Sequence, residues 1–189
     1  MSGEYYKTKE SVKEYIQLAK EVSGIALIRQ LEKELPKNAA VLEIGTGPGT
    51  DWKLLNKKYQ VIGSDFSKEF LKHLKTENPQ GSFLELDAIS LKTTLRFDGI
   101  YSNKVLQHLT DNELAVSIKR QAELLNPQGI ICHSFWKGEG TEVFKGLFVN
   151  YHHENDLIKY FGGDFEILSI QTYQEFDAED SILIIGKKK

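Results

Sequence analysis

The segment Val41-Leu42-Glu43-Ile44-Gly45-Thr46-Gly47-Pro48-Gly49-Thr50 constrains the fold more than any other part of this chain. An apolar run of strand length leads into a glycine-punctuated turn and then into a helix start. Gly45 and Gly47 let the backbone approach a ligand without a Cβ in the way. The helix start aims unpaired N–H groups at the same place. Taken alone, the pattern equally fits a tight strand-to-helix turn. Two carboxylates sharpen it. Glu43 stands inside the strand, two residues before Gly45, where burial is costly unless the carboxylate meets a donor or a cation. Asp65 ends the next apolar run, twenty residues after Gly45. A carboxylate there accepts from both hydroxyls of a ribose and repels a 2′-phosphate. Thr50 stands where the dinucleotide fingerprint carries its last small residue, so the turn departs from that fingerprint.

The rest of the chain alternates in the same way. Ser11 and Glu14 form a capping box that opens a helix with Val12, Ile16, Ala19 and Val22 on one side. Gly24 is a bend candidate, and Ile25, Ile28, Leu31 and Leu35 continue the helical spacing to Pro36. Strands are predicted at 39–44, 60–64, 83–86, 97–101 and 130–135, with helices at 50–58, 67–75 and 154–161. A further helix begins at the Thr110/Glu113 capping box. Asn78-Pro79-Gln80-Gly81 recurs as Asn126-Pro127-Gln128-Gly129, and each copy reads as a type I turn from a helix into a strand. Strand–helix alternation implies right-handed crossovers and a parallel sheet covered on both faces. Only Gln174 to Asp180 separates the last two strands, at 165–173 and 181–185, so they must pair antiparallel. The expected fold is α/β, a doubly wound, mostly parallel seven-stranded sheet with an antiparallel C-terminal hairpin. Ligands of such sheets sit beyond the carboxyl ends of the strands, at the switch point.

The 189 residues read as one domain: an N-terminal helical segment (1–38), a cofactor-binding core (39–135), a lid (136–150) and a last helix with the hairpin (151–189). The net charge of −3 gives no bulk attraction to nucleic acid or to an anionic membrane. Cys132 is the sole cysteine, which excludes an internal disulfide and a thiolate zinc cluster. The first twenty residues are too charged for a signal peptide, and no apolar run reaches membrane-spanning length. A cytoplasmic protein is expected, with no nucleic acid or membrane partner. No feature specifies an oligomeric state.

From Ala39 onward the chain resembles the class I S-adenosylmethionine-dependent methyltransferases, in their small-molecule, type 11/25-like branch. Val41 to Thr50 is similar to their first motif, and Val61 to Ser67 to their second. Leu86-Asp87-Ala88 is similar to the adenine-holding segment, Phe97 to Leu109 to the strand 4 motif, and Leu124 to Gly129 to the turn before strand 5. The resemblance implies S-adenosyl-L-methionine as cofactor. It implies a binding set of Glu43, Gly45, Thr46, Gly47, Gly49, Asp65, Phe66, Asp87, Ala88, Ser102, Asn103 and Gln107. Within that set, Asp65 would take the ribose and Asp87 the adenine amine. The backbone near Ser102 would meet the methionine end, and Glu43 would balance its ammonium. The implied activity is direct in-line methyl transfer to a small acceptor, where positioning alone supplies roughly 7–11 kcal/mol. No metal is expected.

The sequence fixes no catalytic residue. If a general base is used, His133 and His152 are the candidates, since histidine titrates near neutrality. His133 alternates with Cys132, so one of the two is expected to face a helix layer and the other not. Tyr5, Tyr6, Tyr15, His108, Phe135 and Trp136 are candidates for the acceptor pocket. The glycine-rich stretch from Trp136 to Asn150 reads either as a lid or as a surface loop with a short helical turn. Two other functions compete: an NAD-dependent oxidoreductase, disfavoured by Thr50 and by the absence of a Tyr-x-x-x-Lys pair, and a non-catalytic S-adenosylmethionine-binding protein.

Overall fold

The computed structural model describes Val12, residues 23–144 and residues 146–189. Tyr5, Tyr6, Tyr15 and the Ser11/Glu14 capping box lie outside the described residues. In chain order the elements are α1 (Ile25–Glu34), β1 (Ala40–Ile44), α2 (Thr50–Leu55), β2 (Gln60–Asp65), α3 (Lys68–Glu77), β3 (Ser82–Glu85) and β4 (Phe97–Asn103). A 3₁₀ turn at Leu106–His108 follows, then α4 (Asp111–Leu124), β5 (Leu125–Trp136), β6 (Thr141–Phe144), β7 (Leu147–Asn150), α5 (Glu154–Phe161), β8 (Phe165–Tyr173) and β9 (Ser181–Lys188).

Seven strands form one sheet in the order β3-β2-β1-β4-β5-β9-β8. The first five are parallel, and β9 runs antiparallel between β5 and β8, as the short 174–180 connection requires. The order reverses between β1 and β4, which places the ligand crevice at their carboxyl ends. Leu42 sits opposite both Ile62 and Ile100 and is fully buried. Full burial of such a side chain contributes roughly 1.5–3 kcal/mol. Two apolar layers sandwich the sheet. Leu27 and Leu31 of α1, Trp52 of α2 and Leu74 of α3 cover one face; Leu114 and Ile118 of α4 with Leu157 and Phe161 of α5 cover the other. No helix of the described residues is long and apolar enough to cross a membrane.

Local chemistry sets the helix starts. The Ser67 hydroxyl accepts from Phe70 N at the head of α3, and Thr110 and Glu113 form the expected capping box of α4. At α5, His153 and Asp156 make a second box that the sequence reading missed, because histidine is an uncommon cap. The first Asn-Pro-Gln-Gly is a turn closed by Gly81 N donating to Asn78 O at 2.9 Å. The second departs from expectation: it lies inside β5 as an excursion between Leu125, which pairs with Phe97, and Ile130, which pairs with Gly99. Gln128 takes a positive φ of 67° there. Within the stretch read as a lid or as a surface loop with a short helical turn, residues 141–150 carry a small antiparallel hairpin, β6–β7, in place of a helical turn. His108 Nδ1 meets Phe148 O at 2.7 Å, and Asn150 Nδ2 donates to Asp111 Oδ1 at 2.7 Å, so the hairpin is fastened to the segment after β4.

Candidate functional site

The glycine turn is held by one carboxylate, through both of its oxygens. Asp65 Oδ2 accepts from Gly47 N at 2.9 Å and Oδ1 accepts from Ser67 N at 2.8 Å. One side chain therefore ties the turn after β1 to the turn after β2. Burial raises the Asp65 pKa, against the opposing pull of the Ser67, Gly47 and Phe66 amides. A carboxylate has about four lone-pair positions, so acceptor capacity remains. Thr46 N donates to Ser64 O at 2.8 Å and locks the turn on β2. Gly45, Gly47 and Gly49 all have positive φ, which favours glycine. At Gly45 the space a Cβ would take is filled by Val105, 2.4 Å away. That glycine serves the packing of the turn against the segment after β4.

Glu43 is 3% exposed, and its Oε2 has no hydrogen-bond partner among the described residues. The buried Thr46 Oγ1 is likewise without one. Burial pushes the Glu43 pKa well up and the charge of Asp51 pushes it further; the nearby Thr46 hydroxyl pulls the other way, and Asp65 adds a smaller upward push. Asp51, on the first turn of α2, is the site residue that sequence reading missed. It accepts from Gly24 N at 2.8 Å, Tyr101 Oη at 2.8 Å and Asn103 Nδ2 at 3.0 Å. A Cβ on Gly24 would stand 2.3 Å from both Asp51 Oδ2 and Tyr101 Oη, so the chain entering α1 must run as glycine there. Three buried carboxylates thus surround the carboxyl end of β1, and no side-chain cation pairs with them among the described residues.

The other predicted cofactor residues line the same edge of the sheet. Asp87 lies just beyond β3, half-buried, and its Oδ1 accepts from Ile89 N and Ser90 N. Ala88 follows it, and its carbonyl accepts from Ser117 Oγ at 2.6 Å. Phe66 is half-buried beyond β2. Ser102 is fully buried, with Oγ 2.8 Å from His133 Nδ1. Asn103 Oδ1 accepts from Ser134 Oγ at 2.6 Å. Gln107 Oε1 accepts from Trp136 N at 2.9 Å, which ties the 3₁₀ turn to the end of β5.

Several expectations need correction. Phe135 does not line a pocket: it is fully buried against Phe161 and His152. Cys132 and His133 both face helix layers, because β5 is covered on both sides. His133 is fully buried and both ring nitrogens are engaged, Nε2 lying 2.8 Å from Gln121 Oε1. Burial drives its pKa down to about 3, so it is neutral at ordinary pH and has no nitrogen to offer an acceptor. His152 is 2% exposed; its Nε2 is buried without a partner among the described residues. Burial lowers its pKa, opposed by Asp111 and Asp156. His108 is half-buried, and burial lowers its pKa against the favourable Phe148 carbonyl.

Trp136 keeps its predicted place at the carboxyl end of β5, beneath Lys104. Lys104 Nζ stands 3.8 Å from the Trp136 ring centroid, donates to Phe135 O at 2.9 Å and Ser181 Oγ at 2.6 Å, and pairs with Glu175 at 3.2 Å. Burial lowers the Lys104 pKa to about 8, against the opposing pull of Glu175 and Asp180.

The chain is similar to several known proteins. A family model described as a methyltransferase domain matches residues 41–129. An uncharacterised methyltransferase of Oceanobacillus iheyensis is 36% identical over 106 residues, covering 54% of this chain and 50% of that protein. The trans-aconitate 2-methyltransferase of Escherichia coli is 30% identical over 121 residues, covering 62% of this chain and 47% of that protein. The chain spans about half the length of these curated relatives. The crystal structure of Burkholderia thailandensis 1,6-didemethyltoxoflavin-N1-methyltransferase, with its acceptor and S-adenosylhomocysteine bound, superposes with a TM-score of 0.81 at 19% identity, over 95% of this chain and 84% of that one. The matched segment, just under half of the chain, is similar to a methyltransferase domain, and the sheet built around it has the fold of that solved methyltransferase.

Proposed function

We propose that this protein transfers a methyl group from S-adenosylmethionine to a small-molecule acceptor by direct in-line displacement. The observation that carries the reading is Glu43. A carboxylate almost fully buried, with an orphaned oxygen and two carboxylate neighbours, is unfavourable unless a cation joins it. S-adenosylmethionine brings two positive groups, an ammonium and a sulfonium, and when bound it supplies an electrophilic methyl. It carries no phosphate, which suits a glycine turn crowded by acids rather than by lysines.

In this reading Glu43 and Asp51 supply the negative field for the amino-acid end. Asp65 offers its remaining acceptor capacity to the ribose. Asp87 and the Ala88 amide hold the adenine. The backbone at Ser102 and Asn103 is fixed by side-chain bonds on both faces of β4 and orders the methionine end. With the methyl already electrophilic, the chain's own task is alignment and exclusion of water. The small-acceptor part of the proposal is supported by the relative named for trans-aconitate and by the structural neighbour named for 1,6-didemethyltoxoflavin.

Calorimetry separates this reading from its rivals. S-adenosylhomocysteine should bind and NAD should not; NAD binding alone would replace the proposal with an oxidoreductase. Binding without formation of S-adenosylhomocysteine across a panel of metabolites would point to a non-catalytic sensor instead.

A further inference from the structure

A fully buried chain of hydrogen bonds crosses the sheet–helix interface on the α4 side. Ser102 Oγ lies 2.8 Å from His133 Nδ1, and His133 Nε2 lies 2.8 Å from Gln121 Oε1. Gln121 Nε2 donates to Ser117 Oγ at 3.2 Å, and Ser117 Oγ donates to the Ala88 carbonyl at 2.6 Å. Ser102, His133, Gln121 and Ser117 have no exposed surface, and Ala88 has 6%. The spacing of Ser117 and Gln121, four residues apart on α4, puts them on one face.

The direction of this chain follows from its last atom. A carbonyl can only accept, so Ser117 spends its proton on Ala88. Ser117 must then accept from Gln121 Nε2, which turns Gln121 Oε1 toward His133. That oxygen can only accept, so His133 carries its proton on Nε2. Nδ1 is therefore bare, and Ser102 must donate to it. One tautomer of one histidine is consistent with all four bonds.

The two ends of the chain are not neighbours. Ser102 belongs to β4, while Ala88 lies beyond β3, on the far side of β2 and β1. Ser102 is also flanked by Tyr101 and Asn103, which both bond Asp51 on the opposite face. The end of β4 is thus pinned from both sides, and one of the pins runs through to the segment after β3.

We infer that His133 is a positioning residue, a neutral imidazole of fixed tautomer that couples the Ser102 end of the cofactor cleft to the Ala88 end. The inference rests on the cofactor reading proposed above. Filling either end should order the other through α4, which is coupling through a contiguous bonded network. An interior that needed only packing would place apolar side chains at these positions, as it does at the neighbouring Leu114 and Ile118.

The test reads one end while breaking the other. Adenosine occupies only the Ala88 end, and its affinity is measured by competition with S-adenosylhomocysteine. Ser102→Ala should weaken adenosine about fivefold, the lower range of such couplings, in a folded protein whose melting temperature is lowered because the buried His133 Nδ1 loses its donor. Gln121→Met, in the middle of the chain and away from the cleft, should do the same, and should add nothing in the Ser102→Ala background. Should Ser102→Ala fail to fold, Gln121→Met alone gives the reading. Unchanged adenosine affinity in the folded variants, or additive losses in the double variant, would overturn the coupling. Failure of the unmodified protein to bind S-adenosylhomocysteine would instead overturn the cofactor reading, so the two failures are distinguishable.

Discussion

Two buried charged centres stand at the carboxyl edge of the same sheet, and they are built differently. Around Lys104 every demand is met: two oxygens accept its protons, Glu175 balances its charge and the Trp136 ring covers it. Around Glu43 the demands stay open, with an orphaned oxygen and further negative charge nearby. Burial raises the cost of a charge in both places. The saturated centre ties β4, β5, β9 and the 174–180 connection together, whereas the unsaturated one has bonding capacity left for a cationic visitor. On the function proposed, the contrast is that between a structural site and a binding site.

Breaking the saturated centre should give the largest effect. Lys104→Met strands Glu175 and two oxygens, and unfolding free energy should drop by about 3–5 kcal/mol in denaturant titration. The charged lysine is disfavoured in the folded state, so between about pH 8 and about 10.5 the unfolded chain holds more protons than the folded one. Stability from this group therefore rises with pH across that window, and the rise should vanish in the variant. A Lys104→Met protein as stable as the parent would remove the distinction between the two centres.

The unsaturated centre should respond the opposite way. Glu43→Gln removes like-charge repulsion, so the ligand-free protein should melt at the same temperature or higher, while S-adenosylmethionine binds about tenfold more weakly. The folded Glu43 pKa lies above its unfolded value. Its contribution is complete below about pH 4.5 and is lost as pH rises through the raised value. Ligand-free stability should fall along that path in the parent and stay flatter in the variant, as melting curves across pH would record. Lower stability together with unchanged affinity would mean that Glu43 is structural.

A third carboxylate, Asp180, sharpens the comparison with a small effect. Burial acts to raise its pKa, but the Glu175, Asp177 and Phe176 amides and the Ser181 hydroxyl outweigh it and hold it at about 2. It is a saturated group outside the cleft. Its stabilisation is present above about pH 4 and lost as pH falls toward 2. Asp180→Asn should lower the melting temperature modestly at neutral pH and leave cofactor affinity unchanged; an affinity loss would extend the site to this loop.

The residues that were legible in the sequence are those whose causes are local. Periodicity, the Thr110/Glu113 box and the short 174–180 connection each act within a few residues, and each was met in the structure. The glycine turn was legible as a turn, although Val105 explains Gly45 and lies sixty residues away. Asp51 was not legible, because its partners come from positions 24, 101 and 103. The same holds for the chain from Ser102 to Ala88, whose members are brought together only by the crossovers. The facing of Phe135 could have been read, since it shares strand parity with Ile131 in the core beneath α4. The hairpin at 141–150 could not: glycines permit its turn but do not select it over a loop.

The central claim is that the carboxyl group at Glu43, whose burial favours the protonated form, becomes a carboxylate opposite a bound cation. Calorimetric titration of S-adenosylmethionine near neutral pH, in buffers of different ionisation enthalpy, counts the protons released on binding. The parent protein should release more protons than Glu43→Gln at the same pH. Equal release from the two proteins, or no binding by the parent, would contradict the account.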